Sequence, residues 1–211
     1  MKIIHISDTH RQERYLSIPD GDVLIHSGDI DARSIPDVVE FNVWLKKLPH
    51  KKKIFVPGNH DFIFQTSPNI INQFLTEAEV LIDASTTYEG VKFFGSPWTL
   101  PFFDWAFMKN ELELAEIYQK APSNIDVLIT HGPPFGVLDY IKRSGCVGSN
   151  ALLHLIYNIR PKLHLFGHIH EGYGTKEFSW DDNGNFSTLF SNGSVLDERY
   201  GLVNEARILE I

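Results

Sequence analysis

Short apolar runs alternate along this chain with loops rich in Gly, Asp, Asn and Pro. Residues 2–6, 22–26, 53–56, 126–129 and 163–166 are β-branched or apolar stretches bounded by Gly, Pro, Ser or Asp, the signal of buried strands. Residues 92–95, 174–178, 187–190 and 206–211 read as further strands. Asp182-Asn183-Gly184-Asn185 carries a hairpin-turn signal between two of them. Residues 35–48 read as a helix: Val38, Val39, Phe41, Trp44, Leu45 and Leu48 supply one apolar face, and Pro36 suits the first turn. Residues 70–78 and 110–121 read as two more helices, and 149–159 as a fourth, closed before Pro161. Strands with helical crossovers first, and hairpin strands last, predict two packed mixed sheets flanked by helices.

Composition narrows the picture. The chain has 211 residues, 43% hydrophobic and 22% charged, as expected for one globular domain spanning 1–211 with a sizeable core. No low-complexity linker or internal repeat divides it. No apolar run approaches the roughly 18–20 residues of a membrane helix, and the N-terminus enters a strand without a signal-peptide pattern. Cys146 is the sole cysteine, so no intrachain disulfide forms, and a reducing cytoplasm is the expected location. No Arg follows Cys146 to close a phosphate loop, and no Gly-x-x-x-x-Gly-Lys-Ser/Thr loop is present. The net charge of −8 argues against binding long nucleic acid. It leaves room for a small phosphate ester, because bound cations reverse the local sign.

The candidate chemistry sits where five strands end. Asp8-Thr9-His10, Gly28-Asp29-Ile30-Asp31, Gly58-Asn59-His60-Asp61, Thr130-His131-Gly132 and Gly167-His168-Ile169-His170 each follow an apolar run. Strands leading into loops bring such residues to one sheet edge, where ligand sites tend to lie. In extended backbone, Asp8 and His10, Asp29 and Asp31, and His168 and His170 would each point to one side. Carboxylate oxygen with imidazole nitrogen suits Mn, Fe or Zn and not Ca. One carboxylate can bridge two cations about 3.5–4 Å apart, a pair that polarises phosphoryl oxygens and turns bound water into hydroxide. A nearby imidazole outside the ligand set can protonate the leaving oxygen.

These motifs resemble the calcineurin-like metallophosphoesterase superfamily: Asp-x-His, Gly-Asp, Gly-Asn-His-Asp, a lone His and Gly-His-x-His, all intact from residue 8 to residue 170. The stretches 22–29, 95–98, 128–134 and 163–174 are similar to the brain-type metallophosphoesterase-domain subgroup, itself similar to class III cyclic-nucleotide phosphodiesterases. The resemblance implies a four-layer αββα sandwich. It implies that Asp8, His10 and His170 hold one metal, that Asn59, His131 and His168 hold the other, and that Asp29 bridges them. His60 would bind no metal and would contact phosphate or protonate the leaving group. The function expected is hydrolysis of a small phosphodiester, with a cyclic nucleotide among the candidates. The rivals are a phosphomonoesterase acting on a nucleotide or phosphoprotein, and a non-catalytic nucleotide-binding scaffold.

Other residues carry blander readings. His5, His26 and His164 lie inside strands, as core groups or hydrogen-bonding supports of ligands. His50 sits in a basic stretch read as a solvated loop, and His154 on a helix face. Asp31 and Asp61 are either turn-formers or supports for the ligands. Residues 96–105 hold four aromatics and two prolines without a regular period. They form either a packed surface loop or a pocket wall in which Trp98 or Phe102 stacks on a base.

Overall fold

The computed structural model describes residues 1–181 and 186–211. The hairpin signal at 182–185 lies outside the described residues. The elements are, in order, β1 (Lys2–Ile6), β2 (Val23–His26), α1 (Ile35–Lys46), β3 (Lys52–Phe55), α2 (Phe62–Thr66), α3 (Pro68–Ile71), β4 (Glu79–Val80), β5 (Ala84–Tyr88), β6 (Val91–Ser96), α4 (Glu111–Tyr118), β7 (Val127–Thr130), β8 (Tyr140–Ile141), β9 (Gly145–Cys146), α5 (Asn150–Ile159), β10 (Leu163–Phe166), β11 (Gly174–Ser179), β12 (Ser187–Asn192) and β13 (Arg207–Glu210). One sheet runs β13-β1-β2-β3-β4 and the other β11-β12-β10-β7-β6-β5. Inner strands pair in parallel, while β13, β11 and β5 pair antiparallel with their neighbours.

Side-chain alternation along the strands builds the layers. Ile3, Val23, Ile25 and Ile54 face Phe93, Val127, Ile129 and Leu165 in a core between the sheets. The opposite face of the first sheet, with Ile4, Ile6, Leu24 and Phe55, packs on Phe41 and Leu45 of α1 and on Phe64 of α2. The outer face of the second sheet, with Phe94, Leu128 and Phe166, packs on Leu114 of α4 and on Leu152 and Ile156 of α5. The result is the helix–sheet–sheet–helix sandwich. No helix among the described residues is long and apolar enough to cross a membrane.

Several elements depart from the sequence pattern. The helix expected over 70–78 is replaced by α2 and α3, with hydrogen-bonded turns as far as Leu75. Pro68 lacks the N–H that would continue a helix and instead opens α3. The Asn42 side-chain oxygen accepts from the Thr76 and Glu77 amides, which ends helical pairing there. The helix expected over 110–121 spans only Glu111–Tyr118, opened by a capping box between Asn110 and Glu113. The edge strand β5 has no apolar signal because its sequence, Ala-Ser-Thr-Thr-Tyr, is polar. His50 is not solvated: it is 3% exposed, and its Nε2 lies 3.0 Å from the Pro19 carbonyl.

Candidate metal centre

The parallel strands of both sheets end at one edge, and the two edges are stitched together. Ser7 N–H donates to the Gly193 carbonyl, Asp8 N–H to Gly28, and Gly167 N–H to His131. The five predicted segments therefore meet across the sandwich. They do so without the extended backbone expected of them. Asp8 (φ 55°), His10 (40°), Asp29 (61°), Asp31 (61°) and His168 (67°) are left-handed. Asp and His tolerate that region better than most residues, and strain gathered at one place is typical of functional sites.

Asp29 lies at the centre. Its Oδ2 is 3.4 Å from His131 Nε2, 3.7 Å from His10 Nε2 and 4.0 Å from His60 Nε2. Asp8 Oδ1 is 3.5 Å from His170 Nε2. These gaps are longer than ordinary hydrogen bonds. Those to His131, His10 and His170 suit donors that share an ion at roughly 2.0–2.2 Å from each. Asp8, His10 and His170 present ligand atoms within 4.8 Å of one another, and so do Asp8, Asp29 and His131. Asn59 Oδ1 lies 2.9 Å from His131 Nε2, and the His168 ring centroid is 5.1 Å from that of His131.

Three observations test whether cations fit. His10 Nε2 is buried without a hydrogen-bond partner. His131 Nδ1 faces the Ser27 carbonyl at 2.9 Å and His170 Nδ1 the Asp197 carbonyl at 2.8 Å, so in the neutral rings Nε2 keeps its lone pair toward the centre. A Cβ on Gly58 would collide with the Asp29 carboxylate, and one on Gly167 with that of Asp8, so only glycine leaves the space. The donor set fits metal binding.

Electrostatics agree. Burial raises Asp8, but the His170 contact and surrounding imidazoles outweigh it and hold the carboxyl well below its usual range. Burial likewise raises Asp29, and His131 more than reverses it. Burial lowers His10, and it lowers His168 to about 4, leaving both neutral. Burial also disfavours charge on His131 and His170, yet Asp29 and Asp8 lift each to about 9. Without a cation, protons answer the buried carboxylates. Burial, then the charge of Asp29, pushes Asp61 up to about 7. We nevertheless assign Asp61 as ionised. Its oxygens accept from the amides of Asp29 (2.9 Å), Ile30 (3.0 Å), Ala32 (3.2 Å) and Gly58 (2.8 Å), which fills the lone pairs a proton would need. Asp61 is thus a turn-former that holds Asp29 in place.

The sequence of residues 1–172 matches the model of the calcineurin-like phosphoesterases. This chain belongs to that family. Human metallophosphoesterase domain-containing protein 1 is 33% identical over 237 residues, covering 100% of this chain and 71% of that protein. A UPF0046 protein of Caenorhabditis elegans is 37% identical over 212 residues, covering 92% of this chain and 69% of its own length. A crystal structure of a Thermus thermophilus protein shares the fold with TM-score 0.56 at 17% identity, covering 99% of this chain and 98% of its own.

In this calcineurin-like phosphoesterase the centre opens into a cavity of about 410 Å³. His60 lines it, its amide donating to Asp29 Oδ1 at 2.8 Å. The His60 ring lies edge-on to His10, 4.8 Å away, and 4.4 Å from the Trp105 ring. Its Nδ1 is 3.9 Å from Asp31 Oδ1. Trp98 also lines the cavity, but its Nε1 donates to Asp83 at 2.7 Å and its ring packs on Phe107. The 98–107 segment is tied to the site through Ala106 N–H, which donates to the Asn59 carbonyl.

Several neighbours of the centre lie outside the five sequence motifs. Ser194 Oγ donates to Asp8 Oδ2 at 2.8 Å. Asn192-Gly193-Ser194 stands at the end of β12, a turn-forming triplet at a strand end, but that strand, Ser-Thr-Leu-Phe-Ser-Asn, is too polar to give the signal the five segments give. Tyr200, in edge contact with His10 at 4.9 Å and His170 at 5.4 Å, carries no such mark, whereas Trp105 closes the aromatic stretch at 96–105. His5 and His26 support the loops: His5 Nε2 lies 2.9 Å from Ser27 Oγ, and His26 Nε2 3.1 Å from Thr9 Oγ1. His164 lies 2.8 Å from Thr130 Oγ1, and His154 is exposed on α5.

Proposed function

We propose that this protein hydrolyses a singly charged phosphodiester with two bound cations drawn from Mn, Fe and Zn. Asp8, His10 and His170 would hold one cation, Asn59, His131 and His168 the other, and Asp29 would bridge them. Bound there, such ions polarise the phosphoryl oxygens and lower the pKa of water. A water oxygen adds to phosphorus, releasing a proton to solvent, as the opposite ester P–O bond breaks. His60 gives its Nε2 proton to the departing oxygen, so the products are a phosphate monoester and an alcohol. Asp29 orients His60 through its amide, and the Trp105 ring limits where the imidazole can swing.

The wall of the cavity carries this reading. Among the described residues no Lys or Arg lines it, while Glu171 and Glu198 do. Apart from the cations and the imidazoles of the centre, no side chain there compensates the second charge of a monoester, and the two carboxylates repel it. A diester carries one charge and suits such a wall; a cyclic nucleotide is one example. The test is to strip the protein of metal and titrate Mn²⁺ while following bis(p-nitrophenyl) phosphate beside p-nitrophenyl phosphate. Metal-dependent turnover favouring the diester is expected. Preference for the monoester would move the assignment to a phosphatase. Two bound metals without turnover of either would favour a binding scaffold.

A further inference from the structure

The cavity has two chemically distinct parts. One is the centre itself. The other is lined by Trp98, Leu100 and Phe102 from the segment after β6, and by Ile141, Val147 and Leu152 from β8 through α5. This second part is apolar and belongs to none of the ligand-bearing loops. Its floor is firm: Leu152 is 1% exposed within the core under α4 and α5, and Trp98 and Leu100 pack against that core. Of the polar groups nearby, Thr99 Oγ1 is buried with no hydrogen-bond partner, and those at the start of α5 are already used. Ser149 Oγ donates to Glu111 Oε2 at 2.9 Å and accepts from the Leu152 amide at 3.1 Å. Glu111 also accepts from the Asn150 and Ala151 amides, so the start of α5 offers nothing to an anion.

We propose that this slot receives an uncharged, apolar ester arm of the substrate, an alkyl or aryl group carried by the same phosphodiester whose phosphorus sits at the centre. The inference rests on the phosphodiester reading above. Burial of apolar surface is the main driving force such a wall provides, and it grows with the area an arm covers. A carboxylate or phosphate on the arm finds no Lys or Arg among the described residues lining the cavity, which carries Glu171 and Glu198 instead. The slot is therefore a specificity element that selects against multiply charged phosphates as well as for apolar bulk.

The probes are alkyl(methyl)phosphinates, which are monoanionic and carry both arms on P–C bonds that hydrolysis does not break. Their Kd would be measured on Mn-loaded protein by calorimetry and by quenching of tryptophan fluorescence, with methyl, ethyl, propyl, butyl and phenyl arms. Binding should tighten by about fourfold per methylene over the first few carbons, the equivalent of one buried CH₂. A 2-carboxyethyl arm should bind more weakly than propyl. Ile141→Ser and Phe102→Ser, both at partly exposed positions, should flatten the dependence on arm length. A Kd independent of arm length, or a gradient that both variants leave intact, would overturn the slot. The two readings fail separately: diester turnover without a gradient overturns only the slot, and a gradient without turnover overturns only the hydrolase.

Discussion

Replacing Gly58 by alanine tests how tightly the centre is built. A Cβ there would lie 2.6 Å from the Asp29 amide nitrogen and 2.7 Å from His131 Cε1, and closer still to Asp29 Oδ1. Ordinary contact begins near 3.4 Å, so these neighbours must retreat by about 0.8 Å. Neither is free to do so. The Asp29 amide is bound to Asp61 Oδ2 at 2.9 Å, and His131 is held between the Ser27 carbonyl and Asn59. Gly58 is not among the positive-φ glycines, so alanine strains no dihedral and the effect isolates the collision. Overpacking of this kind costs about 1–3 kcal/mol of stability. A shift of about 1 Å in the central carboxylate costs about 10²-fold in rate. The assay combines thermal melting, calorimetric Mn²⁺ titration and turnover of bis(p-nitrophenyl) phosphate. A folded Gly58→Ala protein with unchanged metal affinity and kcat would refute the close-approach argument.

Asp29→Ala should abolish turnover and weaken both metal sites, read as loss of two high-affinity equivalents by calorimetry; full retention of two would remove Asp29 from the bridging role. His60→Ala should keep both metals and lose about 10²–10⁴ in rate on a poor leaving group, the size of a general-acid contribution; an undiminished rate would show that another group supplies the proton. Burial pushes His5, His26 and His164 each down to about 3. Because the folded state keeps them neutral, the unfolded chain binds more protons below pH 6.5, and stability falls as pH drops from there toward 3. At pH 5 this amounts to about 2 kcal/mol per histidine. Urea unfolding at pH 7.5 and pH 5 should therefore show a smaller acid loss for His5→Gln than for the unaltered chain, and equal losses would contradict the neutral, buried assignment.

Much of this protein can be read from its sequence because strand signals and ligand chemistry are local. The run Lys2-Ile3-Ile4-His5-Ile6 is apolar enough to name β1, and the Asp-x-His that follows names a metal-seeking pair without reference to anything distant. The helix over α1 is legible for the same reason, since its apolar face recurs at helical spacing. The segment after Asn59 departs from its local pattern where Pro68 and the distant Asn42 side chain redirect the backbone, a competition between local propensity and a partner 34 residues away. His50 departs from it because burial depends on the Pro19 loop folding over the ring. Composition settled that Asp8, Asp29 and the histidines were capable of holding cations. Only the tertiary structure decided how they converge, through left-handed turns rather than extended backbone, with Ser194, Tyr200 and Trp105 supplied from other elements. The apolar slot belongs to both kinds of knowledge: the aromatic run at 96–105 marks Trp98 and Phe102 as a candidate pocket wall, but Ile141 and Leu152 share no pattern with it, and they join that wall only because the sheets and α5 bring them together.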